Sequence, residues 1–120
     1  MTRIAFACED DTDLESELNA HFGRCPYYTV VEVAGSEIVK SEVVKNPYFN
    51  NHQPGVIPNF IRSQNVNVMI AGGMGPRAID LFNQFGIEVA TGVQGKVKDV
   101  TAAYLNGRIS GVFPCDHGDR

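Results

Sequence analysis

No apolar run in this chain approaches the roughly 20 residues that a helix needs to cross a bilayer. The amino terminus, Met1-Thr2-Arg3-Ile4-Ala5-Phe6-Ala7-Cys8, lacks the long apolar stretch of a secretory leader. Both absences lead to the expectation of a cytoplasmic protein with no membrane partner. Cysteine is scarce, and its three copies make an odd number, which suits a reducing compartment better than a disulfide framework. Positive charge is short as well: 10 Lys and Arg stand against 14 Asp and Glu, a formal net charge of −4. A nucleic-acid partner would want a basic footprint, so none is expected.

Several chemistry-bearing patterns are also missing. No four-ligand zinc arrangement can be assembled, and neither a P-loop nor the dinucleotide glycine fingerprint occurs. A Ser-His-Asp arrangement is absent. A paired-carboxylate hydrolase wants acids on several strand ends, whereas only Asp10 follows a strand. The chain is therefore not expected to be an enzyme.

What is present is an ordinary globular composition. The 120 residues are 43% hydrophobic and 20% charged, enough to bury the core of one domain. Arg3–Ala7 reads as a buried strand. The acidic segment holding Glu9, Asp10, Asp11, Asp13, Glu15 and Glu17 follows as a solvated loop, with Leu14 and Leu18 at helical spacing for one or two turns. Tyr27–Val33 is β-branched and aromatic, and Ile38–Val44 pairs back on it as a hairpin through Ala34-Gly35-Ser36-Glu37. A turn-rich loop then runs from Asn46 to Gly55, a length that often carries function.

From there the hydrophobic period changes. Val56, Ile57, Phe60 and Ile61 form a helical stripe, with Pro58 tolerable only in its first turn. Val66–Ala71 is a strand. Ala78, Leu81, Phe82 and Phe85 make a second stripe that Gly86 closes. Ile87–Ala90 is the last strand, and Val97, Val100, Thr101 and Tyr104 mark a helix ending near Gly107. Residues 1–112 form the expected domain, and 113–120 a flexible tail. The order βββ-αβαβα predicts an α/β protein with a mixed sheet and helices on both faces.

Three places concentrate reactive side chains. His21-Phe22-Gly23-Arg24-Cys25-Pro26 sets an imidazole and a thiol around a glycine, and these are the side chains that bind soft metals best. The same two groups also offer a nucleophile and a base. Gly72-Gly73-Met74-Gly75 joins a strand to a helix start, where bare amides receive anions and Arg77 adds positive charge. Turns at that end of an open sheet line the usual ligand crevice, although glycine there also serves close helix packing. Cys8 reads as core, His52 lies in the long loop, and Cys115 and His117 have the spacing of a small chelate.

With these motifs located, the chain resembles a small single-domain member of the nitrogenase iron–molybdenum cofactor biosynthesis and accessory-factor family. The marks are His21-Phe22-Gly23-Arg24-Cys25-Pro26 with Tyr28, Asn46-Pro47 with His52, Ile70-Ala71-Gly72-Gly73-Met74-Gly75 with Ala78, Gly86-Ile87-Glu88-Val89, and the helix from Val97 to Gly107. They run in order through roughly residues 3–112. The resemblance implies a three-layer α/β/α fold of the ribonuclease-H-like kind, with five mixed strands ordered 3-2-1-4-5 and the second antiparallel to the others. Such a fold does not import nuclease activity, because function belongs to the site.

The resemblance further implies non-enzymatic binding, carriage or assembly of an iron–sulfur cluster or an iron–molybdenum cofactor precursor. The exchange partner would be a metallocluster donor or acceptor protein, and the chain itself a monomer or weak homodimer. The family's cofactor-binding histidine falls on His21, with Gly23, Arg24, His52, Gly72, Gly73 and Gly75 around the same crevice. Cys25, Cys115 and His117 are the further metal candidates. The alternative is a small-molecule or anion-binding regulatory domain that uses the Gly72-Gly73-Met74-Gly75 turn.

Overall fold

A computed structural model of the chain describes residues 2–22, 24–49 and 56–107. The elements run β1 (Thr2–Cys8), a 3-10 turn (Asp13–Glu15), β2 (Tyr27–Ala34), β3 (Glu37–Lys45), α1 (Val56–Ser63), β4 (Val68–Ile70), α2 (Pro76–Phe85), β5 (Glu88–Ala90) and α3 (Val97–Leu105). They build one five-stranded sheet ordered β3-β2-β1-β4-β5. β2 is antiparallel to both neighbours, while β4 and β5 run parallel to β1. This is the expected mixed sheet, with its second strand reversed.

β1 is central because both its faces are apolar. Ile4 through Cys8 are all fully buried, as a strand covered by helices on two sides must be. Ala5 and Ala7 join Tyr28, Val30, Met69 and Val89 beneath Ile57 and Ile61 of α1 and Phe82 of α2. Ile4, Phe6 and Cys8 join Val31, Val33 and Ile70 beneath Val97 and Val100 of α3. Two cores, one on each face, make the three layers. α2 starts with Pro76 at its first position and stops at Gly86, whose φ of 77° is the left-handed conformation that glycine reaches without strain.

The acidic connection departs from the expected helical turns. The Asp10 carboxylate accepts hydrogen bonds from the Thr12 N–H (3.2 Å), the Thr12 hydroxyl (2.6 Å) and the Ser16 hydroxyl (2.8 Å). Asp13 takes a φ of 63°. Short polar side chains that bond locally compete with the helix, so only one 3-10 turn forms. Leu18 instead lies extended, bridges Cys8 and enters the α3-side core. The same bonds hold the Asp10 carboxyl below the usual carboxylate range. Glu15 ion-pairs with Lys96 (3.0 Å) and Lys98 (2.7 Å), tying this solvated face to α3.

β4 is also shorter than the expected Val66–Ala71. Arg3 N–H donates to the Asn67 side chain (2.8 Å), and Glu88 N–H to the Asn67 carbonyl (3.0 Å), so this residue serves as a junction before the paired strand begins.

Candidate functional site

Two loops cross at the carboxyl ends of β1 and β4, and glycine permits the crossing. Gly72 N–H donates to the Asn19 carbonyl (3.0 Å), and Phe22 N–H donates to the Gly73 carbonyl (2.9 Å). A Cβ placed on Gly73 would lie 2.5 Å from the Ala20 carbonyl oxygen, and one on Gly72 would lie 2.7 Å from that of Asn19. No side chain fits in either gap. Between the crossing and the start of α2 opens a crevice of about 440 Å³, lined by Ala20, His21, Phe22, Arg24, Gly73, Met74 and Gly75.

The His21 loop is anchored from the core side. Phe22 is buried against Phe82 (ring centroids 5.4 Å apart) and Tyr28 (6.0 Å). Its carbonyl accepts the Tyr28 hydroxyl (2.9 Å) and the Cys25 thiol (3.4 Å). The Asn46 side-chain amide donates to the Cys25 carbonyl (2.8 Å), and the Asn46 N–H to the Pro26 carbonyl (2.9 Å). Asn19 accepts the His21 N–H at 2.8 Å. With its neighbours fixed inward, His21 is left exposed on the crevice wall.

His21, Arg24, Gly73 and Gly75 therefore line one crevice. Gly23, His52, Cys115 and His117 lie outside the described residues. Gly72 does not line this crevice: its N–H is taken by Asn19, and it borders a separate hollow with Glu9, Glu17 and Gln94. Its role is the close backbone approach. Cys25 also departs from its expected role as a metal ligand. It is fully buried in the core on the α1–α2 face, bonded to Phe22, and burial pushes its thiol up to about 12. The thiol thus faces the core and does not line the crevice that holds His21.

Cys8 is equally buried, and burial raises its thiol to about 11. Both thiols stay neutral in the fold but ionise near the ordinary 9.0 when it opens. Their stabilising contribution is thus complete below about pH 9 and lost as pH rises toward the folded-state values. A thiol-alkylating reagent at pH 8 is expected to spare Cys8 and Cys25 in the native protein and to label both after denaturation, as read by peptide mass. Native labelling of either at the unfolded rate would contradict this burial.

The sequence reading did not assign Met74, which brings a soft thioether to the crevice. Its place between the turn glycines was the available signal. The wall carries one cation, Arg24, one imidazole and one thioether among apolar and glycine positions. α2 has no side-chain cap and no acid in its first turn. Pro76 has no N–H, and the Ile79 N–H donates to the Gly75 carbonyl (3.2 Å). The Arg77 and Ala78 N–H groups are therefore the ones without an intrahelical acceptor at the positive end of the helix dipole. Arg24 is on the wall, and Arg77 is exposed in the first turn of α2. Among the described residues no group of three or more His, Cys, Asp or Glu could cage a metal ion. One imidazole, one thioether and several N–H donors suit an anion, including a metal-containing one, better than a bare cation.

These features define a small three-layer α/β/α domain with an open crevice at the carboxyl end of its central strands. The chain belongs to the dinitrogenase iron–molybdenum cofactor family, whose model matches residues 2–107. It is 30% identical over 96 residues to the uncharacterized protein MJ0580 of Methanocaldococcus jannaschii, covering 78% of this chain and 81% of that one. It is similar to the crystal structure of PH0822, with 35% identity, a TM-score of 0.82, and coverage of 94% of this chain and 97% of the other. The apo form of the orange protein from Desulfovibrio gigas shares the fold, with a TM-score of 0.82 at 24% identity over 93% of each chain. No helix among the described residues is long and apolar enough to cross a membrane.

Proposed function

We propose that this protein binds and carries an anionic metallocluster, an iron–sulfur cluster or an iron–molybdenum cofactor precursor, without acting on it as an enzyme. The observation that carries this reading is the joint placement of the His21 ring and the uncapped amino terminus of α2 on one crevice, in a chain of this family. His21 donates a ring nitrogen to a metal of the cargo. The α2 amides and Arg24 stabilise its charge, with the amides bonding to sulfide or oxide atoms, and Met74 offers a soft contact. Such hydrogen bonds also tune a cluster's reduction potential. His21 and Arg24 are exposed, which suits cargo that passes between a donor and an acceptor protein. His52, Gly23, Cys115 and His117 are proposed to approach the same cargo.

Anaerobic reconstitution with iron, sulfide and molybdate, comparing wild type with His21→Ala, is the test. Wild type should develop cluster absorbance, and His21→Ala should hold no more than about a third as much metal per chain, the loss of one ligand corresponding to roughly tenfold in affinity. Equal loading of the two proteins would remove His21 from the ligand role. The uncapped helix start also favours a second reading, binding of a small oxyanion. A thermal-shift series with phosphate and nucleotides, stabilising where reconstitution fails, would select that reading instead.

A further inference from the structure

The sheet ends unequally. β5 is three residues long, whereas β3, at the other edge, is nine residues long, and among the described residues nothing pairs with its outer side. A long free edge offers unpaired backbone N–H and C=O groups to another strand. In its sequence, Glu37-Ile38-Val39-Lys40-Ser41-Glu42-Val43-Val44-Lys45, opposite charges flank Ser41 at the centre. Antiparallel pairing about Ser41 sets Lys40 of each copy against Glu42 of the other. Beyond these two pairs the bulge in the β2–β3 register turns Ile38 toward the α3-side core while Val44 packs on the α1–α2 side, so the matching is confined to the centre of the strand.

We propose that the outer edge of β3 is a self-association surface, pairing antiparallel with β3 of a second copy about a two-fold axis at Ser41. The two sheets then join into one continuous sheet. Lys40 and Glu42 sit at the centre, two positions apart and on one face, opposite Glu32 and Val30 of β2. Among the described residues Lys40 makes no ion pair, whereas Arg3 pairs with Glu32 and reaches Glu42 at 3.6 Å. Lys40 of the second copy completes that cluster, and symmetry makes the contact twice.

The extra residue in the β2–β3 register falls at Val39, outside the central Lys40–Glu42 pairs, so the middle of the interface is regular. The same bulge and the lysines discourage pairing with unrelated strands. In-register parallel pairing would set Glu37, Lys40, Glu42 and Lys45 each against itself, which like-charge repulsion opposes. The pattern therefore selects one partner, a second copy, in one direction.

Sedimentation of the full chain over a wide concentration range tests this. Wild type should form a reversible dimer, and Lys40→Glu and Glu42→Lys should each weaken it by at least about tenfold, since each turns two attractions into two repulsions. The double exchange Lys40→Glu with Glu42→Lys should restore the dimer. Both substitutions are on an exposed edge, and unchanged circular dichroism of all three variants would establish that folding is intact. A wild-type monomer at the highest concentration would overturn the proposal. So would a dimer indifferent to either single reversal, or a double exchange that fails to recover it.

Discussion

Gly73→Ala is expected to lower stability by about 3 kcal/mol, the upper end for overpacking a close contact, and to abolish cargo loading. The methyl group would stand 2.5 Å from the Ala20 carbonyl oxygen, and the obstacle is backbone rather than a mobile side chain. Relief requires the loop carrying Ala20 and His21 to move away from the β4–α2 turn. That movement also strains the Phe22 N–H bond to the Gly73 carbonyl, so one substitution perturbs both crevice walls. For a domain of this size the melting temperature should fall by about 10 °C. Gly75→Ala is the matched control. It lines the same crevice with nothing within 4 Å of its added Cβ, and should cost less than about 1 kcal/mol. A Gly73→Ala protein that melts within about 2 °C of wild type, on the scale just given, would show that the crossing is not tight.

Asn46→Ala is the second substitution with a large expected effect, about 2–3 kcal/mol by chemical denaturation, because it orphans groups in a buried setting. Asn46 is 4% exposed. Its side chain donates to the Cys25 carbonyl at 2.8 Å and accepts the Tyr48 N–H at 2.9 Å. Alanine leaves both partners unmet. It also frees the segment that holds Phe22 inward and His21 outward, so metal loading should drop together with stability. Tyr28→Phe separates the two effects. It removes a single hydroxyl from the Phe22 carbonyl, which keeps its contact with the Cys25 thiol, and should cost only about 1 kcal/mol. Full metal loading by Asn46→Ala would show that His21 needs no such support.

The strands and helices were legible because their signals are local. The unbroken apolar run of β1, the β-branched pattern of β2 and the helical stripes that contain Phe82 and Val100 each report burial through a fixed period. The acidic connection was not legible by that route. Leu14 and Leu18 have helical spacing, but the Asp10, Thr12 and Ser16 side chains bond to one another and to nearby backbone, and they defeat the helix. In the site, His21 and the glycine turn were legible as chemistry. Cys25 carried two readings in the sequence, a small core hydrophobe or a metal ligand, and an irregular loop has no period from which to choose between them.

Local sequence patterns account for which segments fold, which faces they bury, and the presence of an imidazole and a glycine-rich helix start. Only the tertiary structure decided that His21 faces the crevice while Cys25 faces the core, that Gly73 lines the site while Gly72 is consumed by Asn19, and that Met74 joins them. The physical reason is distance along the chain. Hydrophobic period and turn chemistry act over a few residues, whereas the Phe22–Gly73, Gly72–Asn19 and Asn46–Cys25 hydrogen bonds join segments that meet only when the sheet is complete.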